Sequence, residues 1–467
     1  MTDIKPENDE EIMMKIEPKD VVKSLSKHML VDGFDIIVDL EKSTGSYLVD
    51  ARDGKKYLDF FTFFATLPIG FNHPGVLTED FKARLLRSAI NKPSNSDFYT
   101  VEMAEFVETF ARVALPKSLP HLFFISGGTL AVENALKTAF DWKIRLNFKK
   151  GHSQEKGNQV IHFQQAFHGR SGYTLSLTNT ADPRKTKYFP KFNWPRILNP
   201  KITFPLNDEN LNRVKQAEQT ALQQIKRAIQ ENPDDIAAII IEPIQGEGGD
   251  NHFRSEFFKE LRTLANENDI LLIFDEVQTG LGLTGKMWAY QHFGIEPDIV
   301  AFGKKTQVCG IMASKRIDLI EDNVFAESSR INSTWGGNLV DMVRSQRYLE
   351  IIEAENLVEN AARVGKYFLD RLLKLQSAYA SCVSNARGRG LMIAFDLPDE
   401  HLRDRFMRNA RQNGLLVLKC GERSIRFRPS LNITNEIVDE AMKIVEDTIC
   451  SCCINAKHPE AEGKGEL

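Results

Sequence analysis

Several short apolar runs alternate with stretches of helical periodicity between about residues 97 and 330. The runs are HLFFIS, NQVIHF, DIAAIIIE, DILLIFDE and DIVAFGK. Continuous apolar runs of about four to eight residues are typical of strands buried on both faces, as in a parallel sheet covered by helices. Between the first two runs, AVENALKTAFDWKIRL repeats apolar residues at helical spacing and predicts a helix. The pattern indicates an α/β domain with a mostly parallel sheet.

The flanking segments have a different texture. Before the sheet, Asp53-Gly54 separates two runs rich in aromatic and β-branched residues, which predicts a hairpin that leads into an aromatic segment. After about residue 340, a long helical stretch precedes short strand candidates, which predicts a smaller α+β domain. We therefore expect an N-terminal segment that is partly disordered and packs with the small domain, a large domain, and a C-terminal small domain with a polar tail, at 1–75, 76–340 and 341–467.

Composition narrows the class of protein. The chain has 467 residues, a net charge of −4 and 42% hydrophobic residues, a balance typical of a globular protein. This charge gives no reason to expect nucleic acid as a partner, and no apolar run approaches the roughly 20 residues that span a bilayer. The charged start lacks the apolar core of a secretory signal, so we expect a cytoplasmic protein. Six cysteines make no disulfide scaffold, and the CSCC cluster near residue 450 lacks a second ligand pair, so we expect no metal site.

Three strand candidates end on residues that could carry chemistry. Glu242 and Asp275 each follow an apolar run, and Lys304 follows the next run after a single glycine. Ligands of open parallel sheets bind outside the carboxyl ends of the strands, so these side chains, with Glu247 shortly after Glu242, could converge on one crevice. Each acid alone is as readily a helix cap or a loop residue.

An aspartate, a lysine and a phosphate cradle meet the needs of pyridoxal phosphate. The cofactor aldehyde requires a lysine amine, and its ring nitrogen requires a carboxylate to stay protonated. The stretch Ser126-Gly127-Gly128-Thr129 lies between a strand and a helix, where glycines let the backbone approach and the helix N-terminus favours an anion. Without further evidence this stretch could equally be an ordinary strand-to-helix turn.

The sequence LLIFDEVQTGLGLTGKMWA, followed by PDIVAFGK, is similar to the signature of the class III, or ω-, aminotransferases. The resemblance extends through STGSYLVD, GGTLAVENALK, AFHGR, IIEPIQGEGG, STWGGN and RFRP, and so covers nearly the whole chain. It implies a fold type I pyridoxal-phosphate transferase, with a large domain around a mostly parallel sheet and a smaller α+β domain. It also implies a homodimer in which the two subunits share each active site.

The resemblance assigns roles to residues one by one. Lys304 resembles the Schiff-base lysine and proton carrier, with Lys305 as the adjacent alternative. Asp275 resembles the partner of the ring nitrogen, and Gln278 the residue at the ring oxygen, close to substrate. The remaining cofactor contacts implied are ring stacking by Phe167 and phosphate binding by Gly128, Thr129 and, from the other subunit, Thr334.

Substrate recognition is implied for three charged residues. Arg426, with Arg428 as the nearby alternative, resembles the arginine that binds the acceptor's α-carboxylate. Arg170 is not a general feature of the class and could hold the distant carboxylate of an ω-amine donor. Glu247 resembles a switch that neutralises Arg426 while the donor is bound.

Local strings such as NKPSNSDFYT, AFHGRSGYTLSLTNT, FPKFNWPRI and FGKKTQVCGIM resemble the lysine 6-aminotransferase group of the class. This implies transfer of the terminal amine of L-lysine to 2-oxoglutarate, which gives 2-aminoadipate 6-semialdehyde, able to cyclise to piperideine-6-carboxylate, and L-glutamate. The alternatives are an ornithine or 4-aminobutyrate type of ω-aminotransferase, a decarboxylase or racemase on the same fold, and a binding protein without catalysis.

Overall fold

The computed structural model describes residues 16–454. The strands are β1 Tyr47–Val49, β2 Lys56–Asp59, β3 His121–Ile125, β4 Gln159–Phe163, β5 Arg196–Ile197, β6 Ile236–Ile241, β7 Leu271–Asp275, β8 Ile299–Phe302, β9 Cys309–Ala313, β10 Ser384–Arg389, β11 Met392–Asp396, β12 Leu415–Leu416, β13 Leu418–Cys420 and β14 Ser424–Phe427. The helices are α1 Val21–Leu25, α2 Thr62–Ala65, α3 Glu79–Ile90, α4 Val101–Val113, α5 Gly128–Lys149, α6 Gly172–Leu177, α7 Asp208–Glu231, α8 Ser255–Glu267, α9 Leu339–Ala354, α10 Leu357–Ala378, α11 Glu400–Gln412 and α12 Asn435–Ile454.

The central sheet has seven strands in the order β3-β9-β8-β7-β6-β4-β5. Strands β5, β4, β6, β7 and β8 pair in parallel, while β9 pairs antiparallel with both β8 and β3. Strand β3 therefore runs in the same direction as β8, and the carboxyl ends of six strands lie at one edge. The predicted mostly parallel sheet is confirmed, with β9 as its reversed strand.

The apolar runs are buried on both faces for a visible reason. Along β7, Leu271 and Ile273 belong to one hydrophobic cluster, whereas Leu272 and Phe274 belong to another on the opposite face. Side chains of a strand alternate between faces, so a strand covered on both sides needs apolar residues throughout. Helix α5 supplies part of one cover through residues such as Trp142, which is fully buried.

Two smaller sheets flank the large one. The predicted hairpin is present, since β1 pairs antiparallel with β2, and β12 from the C-terminal part joins it in parallel with Leu415 opposite Leu58. Strands β10, β11, β14 and β13 form an antiparallel sheet of four. The hairpin near the N-terminus thus packs with residues beyond 400. Within residues 16–454, no helix has the length and apolar character needed to cross a membrane.

The helical stretch after residue 340 is two helices rather than one. Helix α9 ends at Ala354 and α10 begins at Leu357, and Asn356 between them has a φ of 51°. A left-handed residue stops a right-handed helix, and asparagine is among the few residues that adopt this conformation readily. Periodicity alone could not reveal the break because apolar residues continue at similar spacing on both sides.

The aromatic segment after the hairpin adopts an unusual turn. Residues 62 to 65 all have positive φ values, between 43° and 64°, and form a single left-handed turn. Oδ1 of Asp59 accepts hydrogen bonds from the backbone N–H groups of Phe61 and Thr62, at 2.9 and 2.8 Å. The turn leaves the ring of Phe64 half exposed beside the cavity described next.

Candidate active site

A cavity of about 410 Å³ lies at the carboxyl ends of the parallel strands. Glu242, Asp275 and Lys304 reach it from the ends of β6, β7 and β8, three neighbouring strands. Other lining residues come from the segments after β3, β4, β6 and β7 and from the small antiparallel sheet: Gly128, Thr129, Phe167, His168, Gly169, Arg170, Glu247, Val277, Gln278 and Arg426, with Phe64 and Lys185. The convergence expected from the strand ends is therefore observed in the folded chain.

Of the adjacent residues Lys304 and Lys305, it is Lys304 that lines the cavity. It sits in a turn with a φ of 54°, and its Nζ lies 5.8 Å from the centroid of the Phe64 ring. Burial, together with the positive charge of Arg426, lowers the pKa of this amine. Lys305, the alternative, is buried and donates from Nζ to the backbone carbonyl of Gln278 at 2.7 Å. Of the two lysines, only Lys304 offers its amine to a ligand in the cavity.

Asp275 is fixed by two donors. Its Oδ2 lies 2.8 Å from Nδ1 of His168, and its Oδ1 accepts from the backbone N–H of Val277 at 3.0 Å. Both the carboxylate and the imidazole are buried. Sequence reasoning missed His168, although it directly follows Phe167 in AFHGR; a histidine between an aromatic residue and a glycine after a strand was the available signal.

Glu242 ties two loops together beneath the cavity. Its Oε1 accepts from the backbone N–H of Phe167 and its Oε2 from that of Gly246, both at 3.0 Å. Burial raises the pKa of Glu242 to about 7. The carboxylate thus fixes the backbone that carries the Phe167 ring and the glycine-rich loop that carries Glu247.

The glycine stretch after β3 forms a tight entry to helix α5. Gly127 has a φ of 101°, and a Cβ on Gly128 would lie 2.8 Å from Cγ1 of Val277. Gly169 also approaches closely, since a Cβ there would lie 2.4 Å from Oγ1 of Thr129. Helix α5 is long, and its first residues, Gly128 and Thr129, line the cavity. This is the arrangement that favours an anion at a helix N-terminus.

Gln278 lies between two arginines. Its Oε1 accepts from Nη1 of Arg426 at 3.0 Å and from Nε and Nη2 of Arg428 at 3.2 and 2.9 Å. Arg428 is fully buried and makes a bidentate ion pair with Asp250 at 2.9 and 2.5 Å. Its charge is therefore neutralised inside the protein. The guanidinium of Arg426 lines the cavity, and among residues 16–454 its hydrogen-bond partner is only the neutral Gln278 oxygen.

Glu247 contacts a residue that sequence reasoning missed. Its Oε1 accepts from Nζ of Lys185 at 2.6 Å and from Oγ1 of Thr180 at 2.7 Å. No ion pair joins Glu247 to Arg426 in the part of the chain that the structure describes. Arg170 lines the same cavity with an exposed side chain. Lys185 belongs to a basic and aromatic segment, residues 184–196, whose composition gave no hint that one lysine would turn inward.

Thr334 lies outside this cavity in its own chain. The residue is exposed, and its backbone carbonyl accepts from Oγ of Ser94 at 2.5 Å. Next to this contact, Phe98, Tyr99, Val101 and Trp335 are exposed apolar side chains.

The residues around the cavity fit pyridoxal phosphate. They include a buried amine of lowered pKa, a carboxylate oriented by two hydrogen bonds, and a glycine-rich helix N-terminus with a threonine hydroxyl. These are an anchor for an aldehyde, a partner for a ring nitrogen and a cradle for a phosphate. The set meets the chemical requirements of the cofactor that the sequence implies.

Comparisons with known proteins agree with this reading. Residues 30–449 match the family model for class III aminotransferases. The chain is 55% identical over 433 residues to the L-lysine-epsilon aminotransferase of Mycobacterium tuberculosis, covering 92% of this chain and 96% of the relative. It is 49% identical over 448 residues to the protein of the same name from Streptomyces clavuligerus, covering 95% and 97%. A solved structure of lysine aminotransferase from M. tuberculosis in its internal aldimine form superposes with a TM-score of 0.92 at 53% identity, covering 94% of this chain and 100% of that one.

Proposed function

The chain belongs to the class III aminotransferase family, and we propose that its reaction is the transfer of the ε-amine of L-lysine to 2-oxoglutarate. The enzyme depends on pyridoxal phosphate. The products are 2-aminoadipate 6-semialdehyde, which closes on its own α-amine to piperideine-6-carboxylate, and L-glutamate. The observation that carries the proposal is the meeting of Lys304, Arg170 and Arg426 around one cavity, in a chain about half identical to L-lysine-epsilon aminotransferases over nearly its full length.

Pyridoxal phosphate, when bound, supplies an aldehyde that takes up an amine and a ring that stabilises negative charge on the neighbouring carbon. Lys304 would anchor it, Asp275 would pair with the ring nitrogen, and Phe167 would cover a ring face. Gly128 and Thr129 would hold the phosphate, and Gln278 has its amide NH₂ group left to donate, because its oxygen already accepts from two arginines.

Lys304 would also move the proton of the reaction. A neutral amine is required to take a proton from the substrate carbon, and burial favours the neutral form by lowering the pKa of Nζ. The nearby charge of Arg426 acts in the same direction. The amine then returns the proton as an acid, so that a single side chain serves both transfers.

The charged residues at the cavity suit substrates with carboxylates. Arg426 would pair with the α-carboxylate of 2-oxoglutarate through its guanidinium. Arg170 would pair with the α-carboxylate of lysine when the terminal amine is at the reaction centre. Glu247 would neutralise Arg426 during the first half of the cycle, when no acceptor is present.

We propose that the enzyme is a homodimer in the cytoplasm. The exposed apolar side chains of Phe98, Tyr99, Val101 and Trp335 support an interface in this region, since exposed apolar surface can mark protein contacts. Thr334 would then complete the phosphate site of the neighbouring subunit. A mixture of Lys304→Ala and Thr334→Val subunits tests this, because each hybrid dimer regains one intact site and therefore activity.

A donor panel tests the reaction itself. The purified holoenzyme is incubated with 2-oxoglutarate and either lysine, ornithine, 4-aminobutyrate or β-alanine, and glutamate is measured. We expect lysine to give the highest kcat/KM by at least about ten-fold, a difference of about 1.4 kcal/mol in transition-state binding. A preference for ornithine or 4-aminobutyrate would identify that compound as the donor in place of lysine. Release of carbon dioxide without glutamate would indicate a decarboxylase.

A further inference from the structure

Lys185 makes the shortest polar contact to Glu247, at 2.6 Å between Nζ and Oε1. We propose that Lys185 is a positioning residue that holds Glu247 away from Arg426 and so keeps Arg426 open to the acceptor dicarboxylate. The inference rests on the proposed function and adds to it a second cationic partner for the Glu247 carboxylate. Glu247 would then alternate between Arg426, when the lysine donor occupies the cavity, and Lys185, when the dicarboxylate does.

The backbone around Glu247 is closely packed and hydrogen-bonded. A Cβ on Gly248 would lie 1.9 Å from the carbonyl oxygen of Gln165, and a Cβ on Gly246 would lie 2.3 Å from Oε1 of Gln278. The carbonyl oxygen of Glu247 also accepts from the backbone N–H of Gly421 at 2.8 Å. Any change of partner by Glu247 therefore comes from rotation of its side chain.

The position of Lys185 is set by a capped turn. Residues Pro183–Lys185 form a 3-10 turn, and Oδ1 of Asp182 accepts from the backbone N–H of Arg184 at 3.1 Å. The backbone N–H of Asp182 donates in turn to Oγ1 of Thr180 at 3.3 Å, and this same hydroxyl donates to Glu247. The turn, the hydroxyl and the carboxylate thus form one connected hydrogen-bond chain.

Buried polar atoms show that both ends of the switch are incompletely partnered in this arrangement. Among residues 16–454, neither Oε2 of Glu247 nor Nε of Arg426 has a hydrogen-bond partner, although both atoms are buried. Arg428 is not available as a partner for Glu247, because its guanidinium is already paired with Asp250. A guanidinium with unused donors is ready to bind a carboxylate, and a carboxylate with a free oxygen is ready to change partner.

The arrangement predicts a definite effect of removing the lysine. Lys185 and Glu247 are both partly exposed, with side-chain exposures of 30% and 21%. Their contact therefore stabilises this position of the Glu247 carboxylate only moderately. Without it, Glu247 spends more time at Arg426 and competes with the incoming dicarboxylate. A competing conformation lowers apparent affinity in proportion to its population.

Glutarate, a dicarboxylate without a keto group, provides a binding readout that needs no turnover. Titration calorimetry of the holoenzyme should show that Lys185→Met raises the glutarate Kd about five-fold, and that Lys185→Arg stays within about two-fold of the wild type. Lys187→Met serves as the matched control, because this lysine lies in the same segment but is exposed and has its Nζ 4.6 Å from the Tyr188 ring centroid. The glutarate Kd of the Lys187→Met variant should equal that of the wild type.

The double variant separates positioning from direct contact. If Lys185 acts through Glu247, then Lys185→Met should have no further effect on the glutarate Kd in a Glu247→Ala background. An equal rise of the glutarate Kd in both backgrounds would mean that Lys185 touches the ligand itself. An unchanged Kd in the wild-type background would mean that Lys185 does not position Glu247. Either result overturns the proposal. Steady-state assays should show the same split, with a raised KM for 2-oxoglutarate and an unchanged or lowered KM for lysine.

These outcomes are distinct from a failure of the proposed function. If the wild type does not transfer amine from lysine to 2-oxoglutarate, the donor assignment falls, while the glutarate titrations still report on Lys185. If the wild type transfers the amine but its glutarate Kd is insensitive to Lys185→Met, the reaction stands and the positioning role falls.

Discussion

Nδ1 of His168 lies 2.8 Å from Oδ2 of Asp275 in a buried pair at the end of β7. An ionised carboxylate only accepts hydrogen bonds, so the imidazole carries its proton on Nδ1 and donates. The other carboxylate oxygen is held by the backbone N–H of Val277. Asp275 therefore enters the cavity with its orientation already fixed, as a partner for a ring nitrogen requires.

Removing this imidazole should weaken the cofactor rather than the fold. We expect His168→Leu to raise the Kd for pyridoxal phosphate about ten-fold, since partners that orient a ligand-binding group typically contribute this much. Cofactor titration followed by absorbance measures it. His162→Leu is the control, because His162 is also buried but contacts the backbone carbonyl of Leu177 at 3.1 Å. It should lower the unfolding midpoint and leave cofactor affinity unchanged.

Substitutions of the adjacent residues Lys304 and Lys305 should have different effects. Lys304→Ala should abolish turnover while permitting non-covalent cofactor binding. Borohydride reduction followed by peptide mapping should label Lys304 in the wild type and leave this variant unlabelled. Lys305→Met should retain the label, because Lys305 donates to the Gln278 carbonyl instead of facing the cavity. It should be less stable, by about 1 kcal/mol or more, from the carbonyl left unpaired. A label on Lys305 would reverse the assignment.

The sequence could predict the sheet and most of the cavity for a common physical reason. A strand covered on both faces must be apolar throughout, so β6, β7 and β8 are visible as runs, and the polar residue after each run must lie at the sheet edge. Glu242, Asp275 and Lys304 were predictable in this way. The resemblance to the class III signature added Phe167, Gln278 and Arg426, all of which line the cavity, and suggested a role for Glu247, which the strand ends had already placed there.

What the sequence did not reveal depends on contacts between distant segments. Lys185 contacts Glu247 across 62 positions, and its partner is decided by the turn that Asp182 caps. The break at Asn356 and the left-handed turn at 62 to 65 depend on backbone dihedral angles that apolar periodicity does not record. Thr334 and its role at a neighbouring subunit stay a prediction.

Loss of the switch carboxylate should alter donor preference. In Glu247→Ala, the charge of Arg426 is left without its counter-ion while lysine is bound, which is costly, whereas glutamate brings its own second carboxylate. We expect kcat/KM for lysine to fall at least about ten-fold more than kcat/KM for glutamate in the reverse direction. Half-reaction kinetics with each donor alone provide the measurement. Equal losses for both donors would remove the switch from the mechanism.

Arg170 should discriminate lysine from a donor that lacks the carboxylate. The compound 1,5-diaminopentane keeps both amines and the carbon chain of lysine but has no carboxylate for an arginine to pair with. We expect Arg170→Met to lower kcat/KM for lysine by about 10 to 100-fold and to leave that for diaminopentane nearly unchanged, since a charge-assisted hydrogen bond contributes about 1.5–3 kcal/mol. If kcat/KM falls equally for both donors, the role of Arg170 is structural and it does not bind the substrate carboxylate.

The stability of the hairpin end should depend on pH through Asp59. Burial raises the pKa of this carboxyl from 3.8 to about 6, and its Oδ2 is buried without a partner among the described residues. Between about pH 4 and pH 6 the folded state therefore holds a proton that the unfolded state has released, so stability falls as the pH rises through this window and the penalty is constant above it. Asp59→Asn keeps an oxygen for the N–H groups of Phe61 and Thr62 but cannot ionise. Relative to the wild type, it should gain about 2–3 kcal/mol of unfolding free energy between pH 4 and pH 7.

Asp50, in the same hairpin, provides a control of opposite sign. Arg52 pairs with Asp50 at 2.7 Å and lowers the pKa of its carboxyl. The stability contributed by this pair is present at neutral pH and is lost as the pH falls through the folded-state pKa. Asp50→Asn should therefore be destabilised most at neutral pH and approach the wild type in acid, the reverse of Asp59→Asn. Urea unfolding midpoints measured from about pH 2 to pH 8 compare the two variants, because the Asp50 contribution is lost only below its ordinary pKa of 3.8. Parallel pH curves for both would show that burial of Asp59 is not what governs its titration.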